Sequence, residues 1–128
     1  FQHWLDMGRA VAHPPRIFYV NWFRKDENGR FAWPGFRQNM RVLKWIFERC
    51  AGRADGAETP LGFVPRYNDL DWNGLDFGLH RFASVMDVDP GQLERELNSH
   101  DAFFDTLGAK RPDALMSERD RLAGRMAM

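Results

Sequence analysis

The apolar positions of this chain fall into two kinds of pattern. From Ile17 to Phe23, the side chains of Ile17, Phe18, Tyr19, Val20, Trp22 and Phe23 form a nearly unbroken β-branched and aromatic run, the pattern of a strand covered on both faces. Asp26-Glu27-Asn28-Gly29 interrupts it, and an Asn-Gly pair accepts the positive φ that tight hairpin turns require. The pattern predicts a β-hairpin over 17–33, with Arg30 to Trp33 as the returning strand. Trp33-Pro34-Gly35 closes it, because proline denies a ladder its donor and glycine permits a sharp change of direction.

After the hairpin the period changes from two to between three and four. Val42, Leu43, Ile46, Phe47 and Cys50 recur at helical spacing, predicting a helix over 39–51 with those five residues inward and Gly52 as its stop. Residues 54–74 read as a loop punctuated by Pro60, Gly62, Pro65, Asn73 and Gly74. The remainder, 76–126, reads as a helical tail. Asp89 followed by Pro90 and Gln92 is a capping signature. Leu93, Leu97, His100, Phe104 and Leu107 share one face up to Gly108, and Pro112-Asp113 opens a last helix with Leu115, Leu122 and Met126 inward. The expectation is a single α+β unit in which a hairpin is followed by helices.

Composition narrows the function classes. Eighteen basic and eighteen acidic side chains cancel, so no overall positive field draws the chain to nucleic acid or an acidic membrane. No apolar run is long enough to span a bilayer and no signal peptide opens the sequence, which leads to the expectation of a soluble intracellular setting. Cys50 is the only cysteine, which excludes an internal disulfide framework and a cysteine zinc site. His3, His13, His80 and His100 form no metal-ligand motif with neighbouring carboxylates. A start at Phe1, directly in apolar sequence, leads to the expectation that these 128 residues are cut from a longer protein.

The chemistry concentrates in one segment. Trp22, Phe23, Phe31, Trp33 and Phe36 lie on the predicted hairpin and the turn after it. Such a cluster is either core, which aromatic residues dominate, or a slot for a flat ring, in which stacking is worth about 1–3 kcal/mol per base. Stacking does not choose between purines, so a polar group must read the edge. Guanine presents an O6 acceptor where adenine presents an N6 donor, and a side-chain amide can tell them apart. Asn39 is such an amide; it is equally placed to be the N-cap of the following helix.

The run Pro15-Arg16-Ile17-Phe18-Tyr19-Val20-Asn21-Trp22-Phe23-Arg24-Lys25-Asp26-Glu27-Asn28-Gly29-Arg30-Phe31-Ala32-Trp33-Pro34-Gly35-Phe36 resembles the C-terminal region of GTP-dependent phosphoenolpyruvate carboxykinases. Asn39-Met40-Arg41-Val42-Leu43-Lys44-Trp45-Ile46 and Glu58-Thr59-Pro60-Leu61-Gly62-Phe63-Val64-Pro65 continue the likeness, which covers nearly the whole chain. The resemblance implies a C-terminal part of that family's nucleotide-binding domain. It further implies that Phe23 and Phe36 stack on the two faces of guanine, that Phe31 lines the pocket, that Asn39 contacts the base edge, and that Trp22 belongs to the same wall. By the same resemblance, the parent protein binds GTP and GDP and interconverts oxaloacetate and phosphoenolpyruvate in gluconeogenesis with Mn2+ and Mg2+. It would be a cytoplasmic monomer without nucleic-acid or membrane partners.

Two departures accompany the likeness. Where the family usually has glycine and then an acidic residue after Phe36, this chain has Arg37-Gln38, and an arginine in a glycine's positive-φ position would strain the turn or crowd the base. The chain also has no Gly-x-x-x-x-Gly-Lys-Ser/Thr phosphate loop. The resemblance puts the metal ligands, substrate-binding arginines, reactive lysine and mobile lid in earlier sequence, so the 128 residues alone are expected to be inactive. The other readings are a stand-alone nucleotide or single-stranded nucleic-acid module using the same aromatic wall, and an inert structural remnant.

Overall fold

The computed structural model describes residues 1–126. Where the sequence reading expects one unit, the chain divides into two compact ones. The first unit, Phe1–Pro15 together with the chain from Val88 onward, is helical: α1 (Gln2–Ala10), α4 (Pro90–Leu107) and α5 (Asp113–Met126). The second, Arg16–Asp87, holds α2 (Asn39–Cys50), β1 (Ala57–Thr59), β2 (Gly62–Val64) and α3 (Leu79–Met86).

In the helical unit, Asp89 caps α4 by accepting from the Gly91 and Gln92 amides at 2.7 and 3.3 Å, satisfying donors that the first turn leaves orphaned. Leu97 is buried, Leu93, Phe104 and Leu107 are half-buried, and Gly108 ends the helix at φ 50°. His100 does not face inward as its spacing predicts; it is exposed and lies over the Phe104 ring. Asp101 has the more covered position and accepts two hydrogen bonds from Arg119 of α5, at 2.8 and 2.6 Å. A forked guanidinium matches a carboxylate in this way, and the pair raises the Arg119 pKa above its usual range, chiefly through the hydrogen bond to Asp101.

The second unit departs further from the sequence reading. The segment 17–33 forms no regular hairpin: a single antiparallel bridge joins Lys25 and Phe31, and 16–23 runs without ladder bonds. Phe18 and Trp22 turn toward the core, whereas Ile17 and Tyr19 are more than nine-tenths exposed. A two-stranded ribbon is marginal by itself, and no described strand lies beside 17–20 to pair it, so only the reversal itself remains hydrogen-bonded. The regular hairpin occurs instead in the stretch read as loop. There β1 and β2 pair antiparallel with Ala57 opposite Val64, Glu58 opposite Phe63 and Thr59 opposite Gly62. The Thr59 hydroxyl donates to the Gly62 carbonyl at 2.7 Å across the turn.

The inward face of α2 is also rotated from the expected one. Trp45 is buried and Val42 and Ile46 pack on the core, while Leu43, Phe47 and Cys50 are exposed. The reason is Trp45: its indole is the largest side chain on the helix, it meets Phe18 edge-on at 6.2 Å and donates to the Asp55 carbonyl at 3.1 Å. The core proper is aromatic, built from Trp33, Trp45, Leu70, Phe77 and Phe82 with Tyr67 and Trp72 against it. Trp72 lies parallel between Tyr67 and Phe77, at 5.1 and 5.2 Å, and Trp33 closes on Phe77 at 5.4 Å.

Phe77, at 2% exposure, is the most enclosed side chain. Phe77→Ala is expected to lower stability in urea unfolding by about 3–5 kcal/mol, against about 1 kcal/mol for Asp89→Ala, which removes only a cap.

Candidate functional site: an open aromatic cavity

The expected aromatic residues come together around the polar reversal at 24–32. The Asp26 amide donates to the Arg30 carbonyl and the Ala32 amide to the Arg24 carbonyl, each at 2.8 Å, with Gly29 at φ 75°. The Asp26 carboxylate accepts from the Arg30 and Asn28 amides at 2.9 Å each. These bonds, that from Arg30 first, hold its carboxyl below the usual carboxylate range. The reversal brings Phe23 and Phe31 edge to face at 6.0 Å. The Asn21 side chain orients Phe23 by accepting its amide at 3.0 Å, and the Lys25 ammonium stands 6.0 Å from the Phe31 ring centre.

Behind these rings is a more enclosed layer. Trp22 is half-buried and lies 6.3 Å from Trp33, which is 5% exposed and backed by Trp72 and Phe77. The chain then turns at Gly35, whose φ of 87° and ψ of −156° lie in a region only glycine enters without strain. That corner starts the 3-10 turn Phe36–Gln38 and projects the Phe36 ring outward, 92% exposed. Asn39 follows as the first residue of α2.

Trp22, Phe23, Phe31, Phe36 and Asn39 line one cavity of about 410 Å³, together with Trp33 and the Pro34-Gly35 corner. That volume is within the usual range for small-molecule sites. Phe23, Phe31 and Phe36 are all more than half exposed, so they contribute little to the core and present ring faces and edges to whatever enters. Asn39 is not the N-cap of α2. Gln38 holds the cap position without a side-chain capping bond, and Asn39 Oδ1 accepts the Trp33 indole N–H at 2.8 Å.

Arg37 neither strains the turn nor crowds the cavity: no described residue other than glycine has positive φ, and Arg37 is exposed and outside the cavity lining. Gln38 accepts from Arg41 Nε at 2.6 Å, and Arg41 also donates to the Asp71 and Asn73 carbonyls, fastening the start of α2 to the 71–73 loop. The sequence reading included Trp33 in the aromatic cluster without giving it a place in the site. Its signal was available, since a Trp buried beside an amide needs a hydrogen-bond partner.

A second cavity, of about 380 Å³, lies between α2 and the 53–71 segment. Its walls carry both signs of charge, including the Arg53–Glu48 pair, whose hydrogen bond lowers the Glu48 pKa. It offers no ring-stacking surface comparable with the first. Among the described residues no group of three or more His, Cys, Asp or Glu is placed to hold a metal ion, and no helix is long and apolar enough to cross a membrane.

The family described as phosphoenolpyruvate carboxykinase C-terminal P-loop domain matches residues 1–125. Three similar proteins carry the name phosphoenolpyruvate carboxykinase (GTP). That from Anaeromyxobacter dehalogenans is 46% identical over 125 residues, covering 98% of this chain and 21% of the relative. That from Paenarthrobacter aurescens is 46% identical over 127 residues, covering 97% and 21%, and that from Corynebacterium jeikeium 40% identical over 126, covering 98% and 21%. The chain thus spans about a fifth of the length of the relatives it matches.

Two glycines with open space around them separate backbone strain from crowding. A Cβ at Gly35 or Gly78 meets nothing within 4 Å, but Gly35 has φ 87° and Gly78 φ −66°. Gly35→Ala is expected to cost about 1–3 kcal/mol. Gly78→Ala is expected to change stability by less than about 1 kcal/mol, because the entropy gained in the unfolded chain is offset by the poorer capping of alanine at the N-cap of α3. Both changes are read by urea unfolding. The depressed Asp26 carboxyl supports the folded turn fully above the unfolded carboxylate range, and that support is lost as pH falls through its lower folded value. The Arg30 amide proton, which donates to Asp26, should report this loss by NMR at a pH below the ordinary aspartate midpoint.

Proposed function

This chain belongs to the GTP-dependent phosphoenolpyruvate carboxykinase family, and we propose that within the parent enzyme it supplies the pocket for the guanine base. The observation carrying this reading is the joining of three exposed phenylalanines and one oriented amide in a single cavity. Exposed apolar rings are costly to keep in water unless they meet a partner, and a flat base is the partner that their faces fit.

In this reading Phe23 and Phe36 stack on the two faces of the base, Phe31 and Trp22 complete the wall, and Asn39 reads the edge. Stacking supplies affinity for any purine. The amide supplies the preference, because its Nδ2 donors suit the O6 carbonyl of guanine and oppose the N6 amino group of adenine. The reaction of the parent is the conversion of oxaloacetate and GTP into phosphoenolpyruvate, GDP and carbon dioxide, serving gluconeogenesis. The part played here is orientation: a base held between rings fixes where the phosphates lie.

The remaining roles fall outside these 128 residues. The chain has no Gly-x-x-x-x-Gly-Lys-Ser/Thr loop for the phosphates. Its described residues do not fit the Mn2+ and Mg2+ expected of the parent, since they place no cluster of metal-binding side chains. No step proposed for this chain passes through a metal. The parent is read as a cytoplasmic monomer whose partners are GTP, GDP, oxaloacetate and phosphoenolpyruvate.

Nucleotide titrations of the parent enzyme test the reading. Phe36→Ala is expected to weaken GDP and ADP alike by about 1–3 kcal/mol, because a stacking face ignores base identity. Asn39→Ala is expected to weaken GDP alone, by about 1–3 kcal/mol. Arg37→Gly, outside the cavity, should leave GDP affinity unchanged. Equal losses of GDP and ADP on changing Asn39 would defeat the base-reading role, and tighter binding of a short oligonucleotide than of GDP would favour a nucleic-acid surface instead.

A further inference from the structure

The hydrogen bond between Trp33 and Asn39 assigns a role to a residue that need not touch the base. An asparagine amide is nearly symmetric in shape but opposite in chemistry at its two ends: Oδ1 accepts and Nδ2 donates. Rotating it by half a turn would exchange the two and invert which purine edge it favours. Something must therefore fix its orientation, and an indole N–H can, because it only donates.

Trp33 meets the requirements of such a fixture. Its side chain is 5% exposed and held between Trp22 on one side and Trp72 and Phe77 on others, so the ring cannot swing away to find another acceptor. The buried or half-buried tryptophans Trp45 and Trp72 satisfy their N–H groups on the backbone carbonyls of Asp55 and Tyr67, whereas Trp33 uses the side chain of Asn39 at 2.8 Å. A flipped amide would set Nδ2–H against Nε1–H and leave a buried donor unpaired. In the observed orientation Nδ2 makes no hydrogen bond to any described residue, and Asn39 lines the cavity.

We propose that Trp33 is the positioning residue for purine selection: its buried indole N–H locks Oδ1 of Asn39 and leaves the Nδ2 donors for a carbonyl oxygen on the ring in the cavity. This rests on the guanine reading of the cavity, and it adds that the discriminating power of Asn39 depends on a donor in the wall behind it.

The test uses the full-length parent enzyme with Trp33 replaced by 3-benzothienylalanine, which keeps the bicyclic shape and substitutes sulfur for N–H, and in parallel Trp33→Phe. Affinities for GDP, IDP and ADP are measured, with thermal unfolding as a check on folding. The analogue is expected to lower the preference for GDP and for IDP over ADP by about tenfold, the lower end of the effect of one buried group left unpaired, with the unfolding temperature nearly retained. In an Asn39→Ala background, Trp33→Phe should change the preference no further, which a purely structural tryptophan would not predict. If the analogue keeps the original preference while Asn39→Ala abolishes it, the role of Trp33 is overturned and the guanine reading stands. If Asn39→Ala itself leaves the preference unchanged, the guanine reading fails and this proposal with it.

Discussion

The packing of Trp33 joins the core of the second unit to its cavity. One side of the indole rests on Phe77 and Trp72, the most enclosed part of the aromatic stack, and another faces Trp22 at the back of the cavity. Its N–H reaches the first residue of α2. The start of the helix, the back wall of the cavity and the orientation of the polar group thus follow from where one large ring is buried. Close-packed interiors transmit such constraints because they leave no room for small adjustments.

Around that ring, the aromatic residues divide by exposure into two sets with different work. Trp33, Trp45, Phe77 and Phe82 are enclosed and hold the unit together, while Phe23, Phe31 and Phe36 stand mostly in solvent. The chain places the exposed set on local devices instead of on long elements: a bridged reversal stabilised by Asp26, an Asn21 turn, and the Gly35 corner. The reversal uses backbone hydrogen bonds, the Asn21 turn a single side-chain bond to the Phe23 amide, and the corner one unusual dihedral pair. The rings consequently stand in solvent and not in the core.

The charged residues near this region act on the backbone more than on a ligand. Arg41 donates to Gln38 and to two loop carbonyls, and Arg24 donates to the Val85 and Asp87 carbonyls at the end of α3. Guanidinium groups suit this, since a planar fork of donors satisfies several carbonyls that would otherwise face each other unpaired. The cavity itself is left to aromatic rings and one amide, with no charged side chain in its lining. A neutral ring with a polar edge matches such a lining better than a phosphate does.

Much of this was legible in the sequence, because it depends on short-range rules. Asn28-Gly29 marks the reversal, Asp89-Pro90 the start of α4, Gly108 its end, and the period of 39–50 a helix. The resemblance to the carboxykinase family, not spacing, groups Trp22, Phe23, Phe31, Phe36 and Asn39 as one candidate site; the aromatic cluster and the amide at 39 make that grouping physically reasonable. The sequence could not decide whether 17–23 pairs as a strand, since pairing depends on a neighbour that lies elsewhere, and β1–β2 escaped notice although Thr59-Pro60-Leu61-Gly62 carries turn signals. It could not tell which face of α2 turns inward, because Trp45 and the Leu43–Phe47 side compete and only the position of Phe18 and the 54–55 segment favours the first. Nor could it decide whether Asn39 caps α2; its Oδ1 accepts the Trp33 indole N–H instead. Local sequence determined that an amide would stand at the start of the helix; the tertiary burial of Trp33 decided which way that amide faces, because a donor shut inside an aromatic wall accepts only one orientation of its partner.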